Sequence, residues 1–596
     1  FIIYIMPGGL LNLVSYGNQN IMINGNPTKT MFKTTYAKHT NFGLQKFRID
    51  YEGSKTLNMT TSSHFDFKVP RYADLLMDTY LVVQLPHIWS PIIPPTSSES
   101  NNFDSLWRPY EFKWIKNLGT QMIERVRFTI GGQVIQEYTG QYLTNMVERD
   151  FDDAKKKLYY NMTGNTAEFN DPANSEKSNN MNQYPNAYYC APPDTPEPSI
   201  RGKKLYIPLN IWFTLSSKMA FPLTALQYNE FHIEIDIRPV NELFVIRNII
   251  SDESSTAAQT EQEASVYGTS MEHIHIYHNN YYHKPDFNDE KEQLHRFIQP
   301  PPDISLNDTT SYTNKRTDWK NDIHLISTYA FLTEEEGKVF SENSHDYLIK
   351  QVYQHDINNI IGPQRTKIDT NGLVSNFMWY FQRNDVNMRN EWSNYTNWAF
   401  DFIPTDIFSP SSKNTDNPNN QTIKTISLTD VTTPITPDTD GDGTPSGILI
   451  TGKYVPENEK TILKTLGILF DGKYRENPLD EGVFNYVEKY VRTCGNAPEG
   501  LYFYNFGIKT NPMDIQPMGG VNLSKFKDVE FEYNVMTPNI KDDVEISEIC
   551  DSDGNVIATH KPLWKLYEYN YNLTVFEERY NILSFMSGNA NLKYSR

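Results

Sequence analysis

Apolar and polar residues alternate with a period of two along much of the chain. Between residues 231 and 237 the alternation is strict. Phe231, Ile233, Ile235 and Ile237 fall on one face, and His232, Glu234 and Asp236 on the other, as in a strand with one side in a core. Residues 125–135 alternate in the same way, with Val126, Phe128 and Ile130 against Arg127 and Thr129. They then turn at Gly131-Gly132 and resume at Val134, which predicts a hairpin. Residues 75–85 are rich in β-formers and stop at Pro86. The second half repeats the style at 323–332, 373–382, 461–470, 500–508 and 563–575, aromatic and β-branched runs separated by Pro, Asn, Asp and Gly. Helical spacing is scarce. One helical turn is expected at 334–342, whose acidic opening suits a helix N-terminus. The pattern predicts an all-β chain with two sets of strands, two sandwiches in tandem.

Three polar stretches interrupt the strands: 152–198, 251–321 and 404–447, rich in Asn, Asp, Ser, Thr and Pro. Loops of this length inside compact domains are usually functional or mobile. The second lies where the two strand sets should meet and is expected to contain the domain linker.

Composition narrows the function. The 596 residues carry 54 Lys and Arg against 73 Asp and Glu, a net charge of −19. A protein that coats a nucleic acid backbone needs clustered cations to displace counterions, so no direct nucleic acid binding is expected. Aromatics make up 13% of the chain and supply the apolar area that a disordered chain lacks. Mean hydropathy is −0.58, and no run of 18 apolar residues occurs. Cys190, Cys494 and Cys550 are far apart and odd in number, which suits a reducing compartment better than a disulfide framework. Met6 is read as the natural start, because the five residues before it are too few for a signal segment.

Candidate chemistry is sparse. Phosphate-loop, dinucleotide, zinc-protease and serine-hydrolase motifs are absent from the sequence, so no catalytic residue is assigned. His273 and His275 share a face of an extended segment, with His278 and His283 nearby, but a solvated strand face is the stronger reading than a metal site. Asp438, Asp440 and Asp442 open like a calcium loop, yet its twelfth position is Leu449 in place of the closing Glu. No metal or cofactor is therefore expected. Sequons occur at Asn58, Asn161, Asn307, Asn394, Asn420, Asn522 and Asn572; Asn161, Asn307 and Asn420 fall in the long polar stretches and are the best-placed glycan acceptors.

Several segments together resemble the major capsid proteins of the nucleocytoplasmic large DNA viruses, the mimivirus, phycodnavirus and iridovirus group. The opening 6–42 carries Gly25-Asn26-Pro27, then Phe32, Lys33, Tyr36, His39, Thr40, Asn41 and Phe42. In the family's order follow 74–86, 130–135, 208–230 with LTALQYNE, 327–351 and 581–595. Pro7 stands where the family usually has Ala, and Lys33-Thr34-Thr35 is more polar than usual. The resemblance implies a double jelly roll, two eight-stranded sandwiches with long loop insertions. The expected division is an arm at 1–29, a first roll at 30–245, a linker and loop at 246–321 and a second roll at 322–596. It implies a non-enzymatic shell protein of the virion, assembled in the host cytoplasm. Three copies would form a nearly hexagonal capsomer in contact with neighbouring capsomers, with minor capsid or penton proteins, and close to an internal membrane. The apolar residues Leu10, Leu11, Leu13, Val14, Ile21 and Ile23 then suggest an arm that is buried against a neighbour, a minor protein or the membrane. The rival reading from composition is a two-domain β-sandwich glycosidase or lectin. It would need a sugar-sized cleft with an aromatic platform and, for hydrolysis, two carboxyls roughly 5 to 9 Å apart.

Overall fold

The computed structural model describes residues 8–53, 56–90, 110–172, 196–248, 292–300, 314–319, 321–398, 459–513, 516–538 and 569–594, with short stretches at 175, 184–185, 188–189, 282–289, 547–550 and 556–560. After a short helix α1 (Gly8–Val14), the first roll is built from β1 (Phe42–Ile49), β2 (Ser63–Lys68), β3 (Leu75–Gln84), β5 (Ile123–Ile130), β6 (Gln133–Tyr138), β7 (Lys204–Pro208), β8 (Phe231–Ile237) and β10 (Ile323–Leu332). A ribbon of β4 (Tyr110–Trp114) and β9 (Phe244–Asn248) flanks it. The sheets run β1-β10-β3-β7 and β2-β8-β5-β6.

The second roll repeats this order. Its strands are β11 (His345–Ile360), β12 (Pro363–Lys367), β13 (Leu373–Arg383), β14 (Leu463–Phe470), β15 (Lys473–Asp480), β16 (Leu501–Asn505), β17 (Val529–Val535) and β18 (Tyr571–Met586). They form β11-β18-β13-β16 and β12-β17-β14-β15. Ranked along the chain, each roll pairs strands 1-8-3-6 in one sheet and 2-7-4-5 in the other, the jelly-roll order.

The alternation at 231–237 is realised as β8, whose burial alternates at every residue. The Gly131-Gly132 hairpin forms, with φ of +55° and +83°, as a two-residue turn between right-twisted strands requires. Asp471-Gly472 makes the equivalent turn in the second roll, with φ of +46° and +76°. The second core closes on Trp379, Tyr502, Phe531 and Tyr571, all nearly inaccessible, each contributing on the order of 2 kcal/mol of apolar burial.

Three expectations are corrected. The strand 323–332, placed at the start of the second roll, is the last strand of the first: it lies between β1 and β3, with Phe42 opposite Leu332 and Ile323 opposite Val83. The stretch 251–321 is therefore a connection inside the first roll, not a domain linker. The third correction concerns the polar stretch 152–198, whose start is the helix α3 (Asp153–Thr163) instead of a loop; it follows α2 (Gly140–Asp150), a helix in a segment for which the sequence pattern predicts no element. The helix expected at 334–342 is present as α4 (Glu334–Glu342).

Every ladder in both rolls is antiparallel and joins an odd-ranked strand to an even-ranked one. Strand direction therefore alternates along the chain, and successive connections alternate between two ends. Within each roll the long connections, 85–122, 139–203 and 238–322 in the first and 384–462, 481–500 and 536–570 in the second, each run from an odd-ranked strand to the next even-ranked one and so leave from one end of that roll. Residues 8–41 enter β1 from the other.

Candidate functional site at the domain junction

The two rolls meet across α2, in which ten of eleven residues are buried. Thr139 caps its N-terminus by accepting from the Tyr142 amide. Gly140 sits where a Cβ would lie 1.9 Å from the Thr120 carbonyl oxygen and 2.4 Å from that of Ile123. The absent side chain lets the helix start against the 118–123 backbone and carries its other face into the second roll.

There its polar side chains find partners. Gln141 donates to the Trp392 carbonyl at 2.8 Å and to the Tyr395 hydroxyl oxygen at 3.0 Å, while Tyr395 donates to Asn145 at 2.7 Å. The Tyr142 hydroxyl donates to Glu578 at 3.0 Å, and its ring meets Phe576. Arg149, only 2% exposed, pairs with Asp150 at 2.6 Å and Glu578 at 2.8 Å, and its guanidinium lies over the Phe503 ring. Asn376 donates to the second Glu578 oxygen at 2.9 Å, and Thr510 donates to Asp150 at 2.8 Å. The hydrophobic core of the first roll runs on through the same seam to Met378, Tyr380, Phe576 and Phe585.

Burial alone would drive the Glu578 carboxyl up, but the Arg149 guanidinium, Lys350 and Asn376 hold it down at about 2. The same carboxylates keep Arg149 charged despite its burial. Because the folded value lies below the ordinary 4.5, this stabilisation is complete above about pH 4.5 and is lost as pH falls towards 2. The difference corresponds to about 3 kcal/mol. Denaturant titrations between pH 5 and 2.5 are expected to show that loss, and Glu578→Gln should flatten it; a variant with the wild-type pH profile would assign the acid sensitivity elsewhere.

Beside this network lies a cleft of about 70 Å³ bounded by Gln136, Trp212, Arg149, Lys350 and Glu578. That is well below the 300 Å³ or more of a typical small-molecule site. Asp150 and Glu578 share one guanidinium and are buried, an arrangement that suits packing.

Among the other singled-out residues, Asn161 is exposed but lies on α3 rather than in a loop. Asn394 is buried and bonded within the second roll. Asn307, Asn420, His273, His275, His278, Asp438, Asp440 and Asp442 lie outside the described residues. His283 pairs with Glu292 at 2.9 Å, and no metal-holding cluster occurs among the described residues. Cys494 is a free thiol. The sequence pattern predicts no element over α2, whereas the neighbouring α3 is marked by its cap pair, Asp152 accepting from the Lys155 amide at 2.8 Å and Gly164 left-handed at φ +80°.

Residues 8–41 stand apart from the roll. Leu13, Val14, Met22, Ile23, Met31, Phe32 and Tyr36 are exposed, Phe32 almost completely.

Two family profiles match in sequence order: "Major capsid protein N-terminus" over residues 30–283 and "Large eukaryotic DNA virus major capsid protein" over 336–591. The major capsid protein of Phaeocystis pouchetii virus is 22% identical across 99% of this chain and all of that protein. That of Paramecium bursaria Chlorella virus 1 is also 22% identical, with the same coverage. Among solved structures, the PBCV-1 virus capsid aligns over 95% of this chain and 100% of that one, with a TM-score of 0.53 at 17% identity. The Faustovirus major capsid protein aligns over 94% and 93%, with a TM-score of 0.54 at 13% identity.

Proposed function

As the chain belongs to the major capsid proteins of large eukaryotic DNA viruses, we propose that three copies close into a capsomer whose six jelly rolls give a threefold body a nearly hexagonal outline. Such a body tiles an icosahedral face with one gene product, because heterologous side contacts extend what closed threefold symmetry begins. The observation that carries this reading is the same eight-strand order occurring twice, joined by the buried seam of α2. A tile must transmit load across its own middle, and a buried junction cross-linked by hydrogen bonds and ion pairs between the rolls makes them one body.

The role is structural, without catalysis, and the destination is the virion shell, with assembly in the host cytoplasm. The long connections share one end, which suits an outward crown, and the arm enters from the opposite end, which suits an inward face near minor capsid or penton proteins and an internal membrane. In place of the expected bounds at 29, 245 and 321, the strand pairing supports an arm to 41, a first roll to 332 and a second roll from 345. Asn161, Asn307 and Asn420 are the proposed acceptors if the crown is glycosylated.

Light scattering after size exclusion tests the proposal. Three chains of 69.1 kDa give about 207 kDa. A monomer at every concentration would overturn the capsomer and reopen the carbohydrate-binding reading.

A further inference from the structure

A small apolar cluster lies on the face of the first roll's β1-β10-β3-β7 sheet that points away from the main core. It comprises Leu75, Ala220 and Ala330, with Met77, Leu332 and Phe340 packed against it. Its margin is open. Phe42 and Leu44, opposite Leu332 and Ala330 in the ladder, are each 53% exposed, and Val339 on α4 is 52% exposed. β1 ends its sheet, so its outer backbone edge has no strand beside it among the described residues. An exposed apolar edge strand is a template for another segment.

Two charge distributions bear on what that segment is. Residues 8–41 carry Lys29, Lys33 and Lys38 and no Asp or Glu, in a chain of net charge −19. The helix bordering the open margin, α4, presents Glu334, Glu335, Glu336 and Glu342, and one Glu336 carboxylate oxygen is buried without a hydrogen-bond partner. The segment 8–41 also holds the largest group of unpartnered apolar side chains among the described residues, with Met31, Phe32 and Tyr36 interleaved among its lysines. At up to about 3.3 Å per residue it can extend on the order of 100 Å, beyond the body of its own roll.

We infer that the arm of one copy docks on the β1 and α4 face of a second copy. Its apolar residues cover Phe42, Leu44 and Val339, and its lysines meet the α4 carboxylates. The inference rests on the self-assembly proposed above and adds the contact through which copies are strapped together. Exchange of this kind leaves each body folded and makes every chain both donor and acceptor.

The test uses two full-length versions expressed together. One has Lys29, Lys33 and Lys38 changed to Arg and keeps its α4 carboxylates. The other keeps the lysines and has Glu334, Glu335, Glu336 and Glu342 changed to Gln. A carbodiimide joins lysine to carboxylate, so arm-to-α4 links can form only between the two versions. Such links are expected by mass spectrometry of the mixture and absent from either version alone. The 2.9 Å pair Glu334–Lys338 in the first version reports that the reaction worked. Links in the wild-type chain without links in the mixture would place the arm on its own body and overturn the inference. Absence of links together with arm-dependent sedimentation on phosphatidylserine vesicles would overturn it in favour of a lipid surface. A 207 kDa trimer lacking these links sinks the arm contact alone; a permanent monomer sinks the capsomer as well.

Discussion

Replacing Arg149 with Met is expected to destabilise the chain by about 3–5 kcal/mol, because it leaves Asp150 and Glu578 facing each other as buried, uncompensated carboxylates. The guanidinium serves three partners from both rolls and stacks on Phe503, contacts that Lys350, which also acts on Glu578, does not make. For rolls of this size the loss corresponds to a melting shift on the order of 10 °C. Calorimetry should show a separate, earlier transition as the rolls uncouple. The triple variant Arg149→Met, Asp150→Asn, Glu578→Gln removes all three charges and should recover much of the stability. A single variant as stable as wild type, or a triple variant no better than the single, would show that the triad does not hold the seam.

Gly140→Ala is the second large effect expected. The added methyl meets two backbone carbonyl oxygens far inside van der Waals distance, and backbone cannot rotate away as a side chain can. Either α2 shifts along the seam and breaks its bonds to the second roll, or the 118–123 segment is displaced. A cost above about 3 kcal/mol follows from overpacking a buried helix start, read as loss of soluble protein or a sharply lowered melting temperature. Gly132→Ala is the control: it also replaces a glycine, with φ +83°, but its Cβ meets nothing within 4 Å. Only the left-handed backbone penalty of about 1–2 kcal/mol applies there. Similar losses in both would mean that the close approach at Gly140 is tolerated.

The strands were legible because half-buried antiparallel strands write their burial into the sequence two residues at a time, as in β8. The junction was not legible, for the opposite reason. The helix α2 is surrounded, so it shows no polar face, and Gln141, Asn145, Arg149 and Asp150 occupy buried positions because the second roll bonds them. A polar residue satisfied by a partner more than two hundred positions away looks like a surface residue in one dimension. The misplaced boundary at 321 has a related cause: the period of β10 declares a strand but not its neighbours, and those lie about 240 and 280 residues upstream. The family resemblance supplied the jelly-roll order that periodicity could not.

That position of β10 also dictates when the protein can fold. Strands β1 and β3 touch only through it, and in the second roll β11 and β13 touch only through β18. Each roll thus receives a central strand of its main sheet last. On a ribosome adding roughly 5–20 residues per second, the first sheet stays open until residue 332 emerges, and the second until residue 586 does. While a chain is being made it therefore carries unpaired strand edges, and a shell built from many copies multiplies such unfinished chains. Their fate before the final strand arrives governs the yield of shell protein as much as the stability of the finished fold.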